Sequence, residues 1–302
     1  MANSSGNVTF QNTASVTCLP IGFMGIITNF FLFIILLTNK SLRDHSYRIV
    51  ASVIASDFFS SIQFVFVFLG PYFLEYSTFN TSQIYCKFLI YSMYSTYYAS
   101  VLSLTAVSFY RYKLVFKASQ IRFKEIELRK INKLLAIIWA ISFLFAVPMI
   151  FFVRSNFTVT SNCDINYIQG YPRLTFTYFL CTAIVMYVLP LTTMVFNYVR
   201  LIRKLNEYIL PWNNRIDNAI RRRDHVIRIL LAVTSAFMLF NFPLFICINF
   251  MVSNVQTYYM LRFNNFTLYF ISLLTLPITA SVSLINPIIF ITLDKNISKA
   301  VK

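Results

Sequence analysis

One carboxylate, Asp57 in VIASDFF, stands inside the long apolar stretches of this 302-residue chain, while every other Asp, Glu, Lys and Arg lies between or beyond them. A charged side chain at the centre of a membrane helix costs about 2.5 to 3.5 kcal/mol on insertion scales and persists where it faces partners or water inside a bundle. Such a group must be compensated inside the bundle, and by residue type alone it suits hydrogen-bonding glue between helices. Catalysis does not suit it. There is no second intramembrane acid to form a pair or a relay, and neither HExxH nor GxSxG occurs.

The elements that position Asp57 follow from composition. The chain is 58% hydrophobic and 18% aromatic with 12% charged residues, against about 25% charged in soluble domains. Crossing a bilayer takes about 20 mostly apolar helical residues. Seven stretches qualify: Ile21 to Thr38, Ile49 to Leu74, Phe88 to Tyr110, Leu134 to Val153, Leu174 to Val199, Ile229 to Met251 and Phe266 to Leu293. They are too long for barrel strands and lack the two-residue alternation of a barrel. The fold class is therefore an all-α membrane protein, a seven-helix transmembrane bundle. The polar start MANSSGNVTFQNTASVT has neither the basic beginning nor the apolar run of a cleavable signal, so the first span is read as directing insertion itself.

Of the 26 Lys and Arg, 22 fall on one side of these spans and four, Lys87, Arg154, Arg173 and Arg262, on the other. Positive residues accumulate in cytoplasmic loops, which puts the N-terminus outside. The acceptor sequons at Asn3, Asn7, Asn80, Asn156 and Asn265 all fall on the outer side by this rule, as glycosylation requires; those at Asn39 and Asn296 fall inside. The net charge of +16 is then a matter of topology and anionic lipid contact, and calls for no nucleic acid. Outside is also the oxidising side. Cys86 and Cys163 both lie there and are read as a disulfide that ties RSNFTVTSNCDINYIQGYP over the bundle mouth, two separate outer thiols being the alternative. FTVTSNC is read as one arm of an outer hairpin. Cys181 and Cys247, inside spans, pack as small apolar residues.

An outer cysteine followed 25 positions later by an arginine and a tyrosine at the inner end of the same helix, SFYRYKLVFK, resembles the rhodopsin-like G protein-coupled receptors. The resemblance runs through Asn29 in GIITNFF, Asp57 in VIASDFF, Trp139 and Pro148 in the fourth span, and Pro190 and Tyr198 in VLPLTTMVFNY. It continues through Phe237 and Pro243 in FMLFNFPLF and through Asn286 and Pro287 in SLINPIIF. It implies a short amphipathic helix after the seventh span, and a sodium ion as the cation held by Asp57, Ser100, Ser283 and Asn286. For G protein coupling and activation it implies Arg111, Tyr112, Tyr198, Asn286, Pro287 and Phe290, with Tyr198 meeting Arg111 when span six swings outward.

The chain departs from that family in places. Tyr110 replaces the acid that usually precedes the arginine, Arg223 stands where some members carry an acid, and Phe290 replaces a tyrosine. Asn241 stands in place of the tryptophan two residues before the sixth-span proline. Met93 replaces the aspartate of amine receptors and Ala280 the lysine of opsins, which disfavours amines and retinal. Met93, Tyr97, Thr182, Asn241, Phe245 and Leu276 form the ligand-binding candidates.

The chain is thus organised as an outer segment 1–20, a bundle 21–293 and an inner segment 294–302 that begins a membrane-surface helix. The expected function is that of a plasma-membrane receptor, not an enzyme, without a cofactor apart from the sodium ion. Its partners are an extracellular ligand, a peptide before a lipid or odorant-like molecule, a heterotrimeric G protein, and membrane lipids. A small transporter or channel is the rival, disfavoured by an odd number of spans without an inverted repeat.

Overall fold

The computed structural model of the protein describes residues 4–42, 45–74, 78–116, 124–156, 162–165, 167, 171–207 and 214–301. Lipid offers the backbone no hydrogen-bond partner, so each spanning segment must satisfy its own amides as a helix. The long helices are α1 (Ser4–Thr38), α2 (His45–Leu74), α3 (Phe79–Phe116) and α4 (Lys124–Ala146). The short α5 (Met149–Phe152) leads into a hairpin of β1 (Val153–Asn156) and β2 (Asn162–Ile165). Then come α6 (Pro172–Ala183), α7 (Leu189–Glu207), α8 (Asn214–Ser253), α9 (Tyr258–Asn264), α10 (Phe266–Leu293) and α11 (Lys295–Val301). The last is the helix expected after the seventh span.

Prolines account for the breaks within the fourth and fifth spans. The fourth span breaks into α4 and α5 at Pro148, which carries no N–H to continue the ladder. The fifth is α6 and α7 joined by a π turn, Ile184–Val188. Pro190 stands two residues beyond it, and a locally wider helix absorbs the hydrogen bond the proline cannot make. Pro243, Pro277 and Pro287 remain inside α8 and α10. Helix α1 begins at Ser4 rather than Ile21, and α8 at Asn214 rather than Ile229, because helix continues beyond the apolar run. The outer hairpin exists, but its described arms are Val153–Asn156 and Asn162–Ile165; of FTVTSNC only Asn162 and Cys163 lie in a strand, and residues 157–161 lie outside the described ones.

Among the described residues, six spans are long and apolar enough to cross a membrane by composition alone. The remaining one is α3, diluted by tyrosine, serine and threonine. It can be so because it is central: it packs against α2, α4, α7 and both strands, and Tyr98, Ala99, Val101, Leu104 and Val107 are buried. Outward-facing Ile27, Leu144 and Leu239 are exposed, as suits a surface solvated by lipid.

The inner core joins Leu32, Ile49, Val53, Leu104, Tyr198, Ile229 and Phe290; a second cluster under the hairpin joins Met149, Phe152, Ile165, Phe179 and Val252. Helices α2, α3 and α4 are stitched by one polar chain, in which Trp139 Nε1 donates to Ser52 Oγ at 3.1 Å and Ser52 lies 3.1 Å from Ser103 Oγ.

Candidate functional site

Asp57 reaches the bundle axis from α2 and is buried. Asn286 Nδ2 of α10 donates to its Oδ2 at 2.7 Å, and Ser100 Oγ of α3 to its Oδ1 at 3.3 Å. Three helices thus meet on one carboxylate. Ser283 does not join them: its hydroxyl turns back to Ala280 O at 2.7 Å, as a serine in a helix readily does. Its backbone carbonyl instead accepts from Asn29 Nδ2 at 2.7 Å. That bond is short because α1 comes close at Gly25, where an added Cβ would meet Ser61 Oγ at 2.5 Å and Ser283 Oγ at 2.9 Å. The amide oxygens of Asn29 and Asn286 are buried without a hydrogen-bond partner. The floor therefore holds more acceptors than donors.

Above this floor opens a cavity of about 350 Å³, within the range of small-ligand sites. Asp57, Ser100 and Ser283 line it, as do Met93, Tyr97, Thr182, Asn241, Phe245 and Leu276, so floor and candidate ligand residues share one space. Its walls are mainly aromatic and aliphatic. Tyr97 stacks on Phe237 with centroids 5.7 Å apart, and Tyr187 stacks on Phe245 at 5.0 Å while donating to Met238 O at 3.0 Å. Asn241 fills little of the room a tryptophan would take, because its amide donates to Phe237 O, one turn back in its own helix, at 2.6 Å.

The hairpin is the roof. A disulfide joins Cys86 of α3 to Cys163 of β2. Gln83 clamps the other strand by donating to Val153 O at 2.9 Å and accepting from Ser155 N at 2.8 Å, and Ser82 Oγ lies 2.6 Å from Ser155 Oγ. On the far side Asp164 accepts from Tyr258 N at the start of α9, and Tyr167 donates to Gln256 O in the segment between α8 and α9. Burial, with a smaller push from the Asp164 carboxylate, lifts the Tyr167 phenol to about 12, so it stays a proton donor at any physiological pH. Gln83, Asp164 and Tyr167 were not among the residues singled out in the sequence. Adjacency to Cys86 and Cys163 was the only available signal.

At the inner end, Tyr198 lies 3.1 Å from Thr234 Oγ1 of α8, and Phe290 is buried in the core. Arg200 sits 4.1 Å over the Phe196 ring and makes a long 3.5 Å contact to the Tyr112 hydroxyl. The backbone of Arg111 belongs to α3, but its side chain and that of Arg223 lie outside the described residues. Of the sequons, Asn80 and Asn265 are exposed; Asn3 and the side chains of Asn7 and Asn156 lie outside the described residues.

The sequence pattern of the 7 transmembrane receptor (rhodopsin family) matches residues 28–290. The chain belongs to that family. The receptor is 25% identical to human prokineticin receptor 2 over 281 residues, which is 90% of this chain and 71% of that one. It is 24% identical to human prokineticin receptor 1 over 221 residues, 70% of this chain and 56% of the other. It is thus a multi-pass plasma-membrane G protein-coupled receptor, and the family's work is signalling rather than catalysis.

Proposed function

We propose that the receptor binds an extracellular peptide in the cavity beneath the hairpin and passes the event to a heterotrimeric G protein at the inner ends of α3, α7, α8 and α10. The observation that carries this reading is the shared cavity: Met93, Tyr97, Thr182, Asn241, Phe245 and Leu276, from four different helical spans, line one space under a tethered roof. Among the described residues its wall has no Lys, Arg or His, and Met93 offers no counter-ion to an amine. The relatives are named as receptors for prokineticins, which makes ligands of that kind the first to test. Segment 1–20 is taken as the extracellular N-terminal segment, 21–293 as the transmembrane bundle, and 294–302 as the inner segment that begins a membrane-surface helix.

Binding acts by population shift: a ligand moves the closed–open equilibrium only by its preference for the open form. Arg111, Tyr112, Tyr198, Asn286, Pro287 and Phe290 are assigned to the inner coupling region. The oxygens of Asp57, Ser100 and Asn286 fit a sodium ion, since hard cations take oxygen ligands and the Asn286 amide oxygen is otherwise unsatisfied. Ser283 belongs to the same set: its hydroxyl donates to Ala280 O, which leaves the oxygen lone pairs for the ion, and it lines the same cavity.

The test is second-messenger output from transfected cells challenged with prokineticins, a wider peptide library and a lipid library. Peptide responses that disappear in Phe245→Ala at matched surface expression are expected. Response to lipids alone would overturn the peptide assignment, for which the apolar wall is the opening. Ligand-gated current that persists without G protein would favour a channel.

A further inference from the structure

The polar groups of the cavity differ in kind from one wall to the other. On α3 the Tyr97 hydroxyl is buried, lines the cavity and has no hydrogen-bond partner. Its ring is held in place, stacked on Phe237 of α8 with centroids 5.7 Å apart and edge-on to Tyr98 at 5.9 Å. A buried hydroxyl left unpaired is destabilising, and such a group is retained where something else completes it.

The facing wall of α8 offers acceptors. Asn241 and Asn249 both line the cavity, about two turns apart on one face of the helix. Each turns its Nδ2 back onto the backbone, Asn241 onto Phe237 O at 2.6 Å and Asn249 onto Phe245 O at 2.9 Å. Only the amide nitrogen can donate to a carbonyl, so the Oδ1 atoms are the ends presented to other partners. Asn241 lies one turn outward of Phe237, hence about 6 Å above the level at which Tyr97 stacks.

Charge narrows the choice. Asp57 and Asp164 line the same cavity, and among the described residues no Lys, Arg or His does. Both carboxylates already accept hydrogen bonds within the protein, Asp57 from Asn286 and Ser100, Asp164 from the backbone N–H groups of Ile165 and Tyr258. A ligand carboxylate would meet two charges of its own sign and no counter-charge. An amide is neutral and carries a donor and an acceptor in one plane.

We propose that the cavity selects an uncharged amide: the inserted end of the ligand is a carboxamide or an internal peptide unit, its carbonyl accepting from the Tyr97 hydroxyl and its N–H donating to Asn241 Oδ1, with an apolar group packed against Phe237, Phe245 and Leu276. Free carboxylate termini and fatty acids are excluded from that depth. The inference rests on the reading of the cavity as the ligand site and names the chemistry of the part that enters it.

Small probes test this without the natural ligand. N-acetyl-L-phenylalaninamide, N-acetyl-L-phenylalanine and phenethylamine share one ring and carry an amide, a carboxylate and an ammonium respectively; each is titrated against the thermal midpoint of the purified receptor. The amide should raise the midpoint with an affinity at least about tenfold above the other two, which bring like charge or leave the Tyr97 hydroxyl unmatched. Tyr97→Phe keeps the stacked ring and removes the hydroxyl. It should weaken the amide about fivefold, the worth of one hydrogen bond, and raise the midpoint of the unliganded receptor, because an unpaired buried hydroxyl is gone. Asn241→Ala should weaken the amide by a similar factor, and decides the matter should Tyr97→Phe fail to fold. An acid or amine that binds as well as the amide, an amide affinity unmoved by these variants, a lowered unliganded midpoint in Tyr97→Phe, or no shift with any probe would overturn the amide site while leaving the peptide reading to its own signalling assay. A midpoint raised by decanoate and by none of the three would remove the amide site and the peptide reading together.

Discussion

The Tyr47 hydroxyl of α2 lies 3.1 and 3.2 Å from the two carboxylate oxygens of Asp294, across 247 positions of sequence. Asp294 is buried and at the same time caps α11, accepting from Asn296 N at 2.9 Å and Ile297 N at 3.2 Å, while Asn296 Nδ2 returns to Tyr47 at 3.0 Å. One carboxylate therefore fixes the end of the seventh span, the start of α11 and the inner end of α2. Tyr47→Phe should destabilise the purified receptor by about 1.5 to 3 kcal/mol, the range for a hydrogen bond to a charged group. Asp294→Ala should do more, since the cap goes too. Thermal unfolding in detergent reads both; an unshifted midpoint for Asp294→Ala would contradict the assignment.

Sodium should raise the thermal midpoint of the receptor relative to an equal concentration of N-methylglucamine. Asp57→Asn should abolish the difference by removing the charge that draws the ion, and Ser283→Ala should reduce it by removing one neutral oxygen ligand, since the hydroxyl that donates to Ala280 O keeps its lone pairs for the ion. Equal sodium effects in parent and Asp57→Asn would dismiss the ion.

Loss of the roof tether should be felt at the cell surface. The Cys86–Cys163 bond spans a sequence separation of 77, for which loop-closure entropy sets an upper bound of about 4 to 5 kcal/mol. Either cysteine changed to serine should lower surface expression severalfold by flow cytometry, and the double variant should be no worse than the singles.

The YRY stretch predicts measurable signalling without ligand, since Tyr110 supplies no carboxylate beside Arg111. Tyr110→Asp should lower that basal output, and Arg111→Ala should lower the agonist response. About 1.4 kcal/mol moves a two-state population tenfold, so the first effect should be several-fold in a second-messenger assay. Basal output equal to that of empty cells would refute it.

Glycan at Asn80 and at Asn265 should each contribute one step to the mobility shift seen on enzymatic deglycosylation. Asn80→Gln removes one without touching the Ser82–Ser155 bond. For the other, Thr267→Ala is the better variant, because Asn265 Oδ1 accepts from Leu268 N at 3.1 Å and caps α10. Mobility unaltered by both changes would place these sites out of use.

Charge and hydropathy made the seven spans, their orientation and the lone Asp57 legible, because each follows from the transfer of a residue type between water and lipid. The six pocket candidates were legible through the family pattern, which encodes helix register. What could not be read were bonds whose partners are remote in sequence and whose residue types are ordinary: Asp164 with Tyr258, Tyr167 with Gln256, Tyr47 with Asp294. The bond from the Ser283 hydroxyl to Ala280 O was illegible for a related reason, in that spacing assigns a helical face but not the rotamer that turns a hydroxyl onto its own backbone. The π turn before Pro190 likewise depends on how a helix accommodates a missing N–H, for which several local solutions exist.

The polarity of α3 bears on how the receptor is made. A segment carrying Tyr94, Thr96, Tyr97, Tyr98, Ser100 and Ser103 in its membrane portion partitions weakly into lipid by itself, because insertion depends on summed apolar transfer. It is held in the bilayer by its neighbours, first by α2 through the bond between Ser103 and Ser52, then by α4, whose Trp139 bonds Ser52 once the fourth span has followed. Damage at Ser52 or Ser103 would then surface as chains whose third segment crosses poorly, retained and degraded before reaching the surface, rather than as receptors that bind or signal poorly. The helix at the centre of the finished bundle is the one whose crossing depends most on the company it keeps during biogenesis.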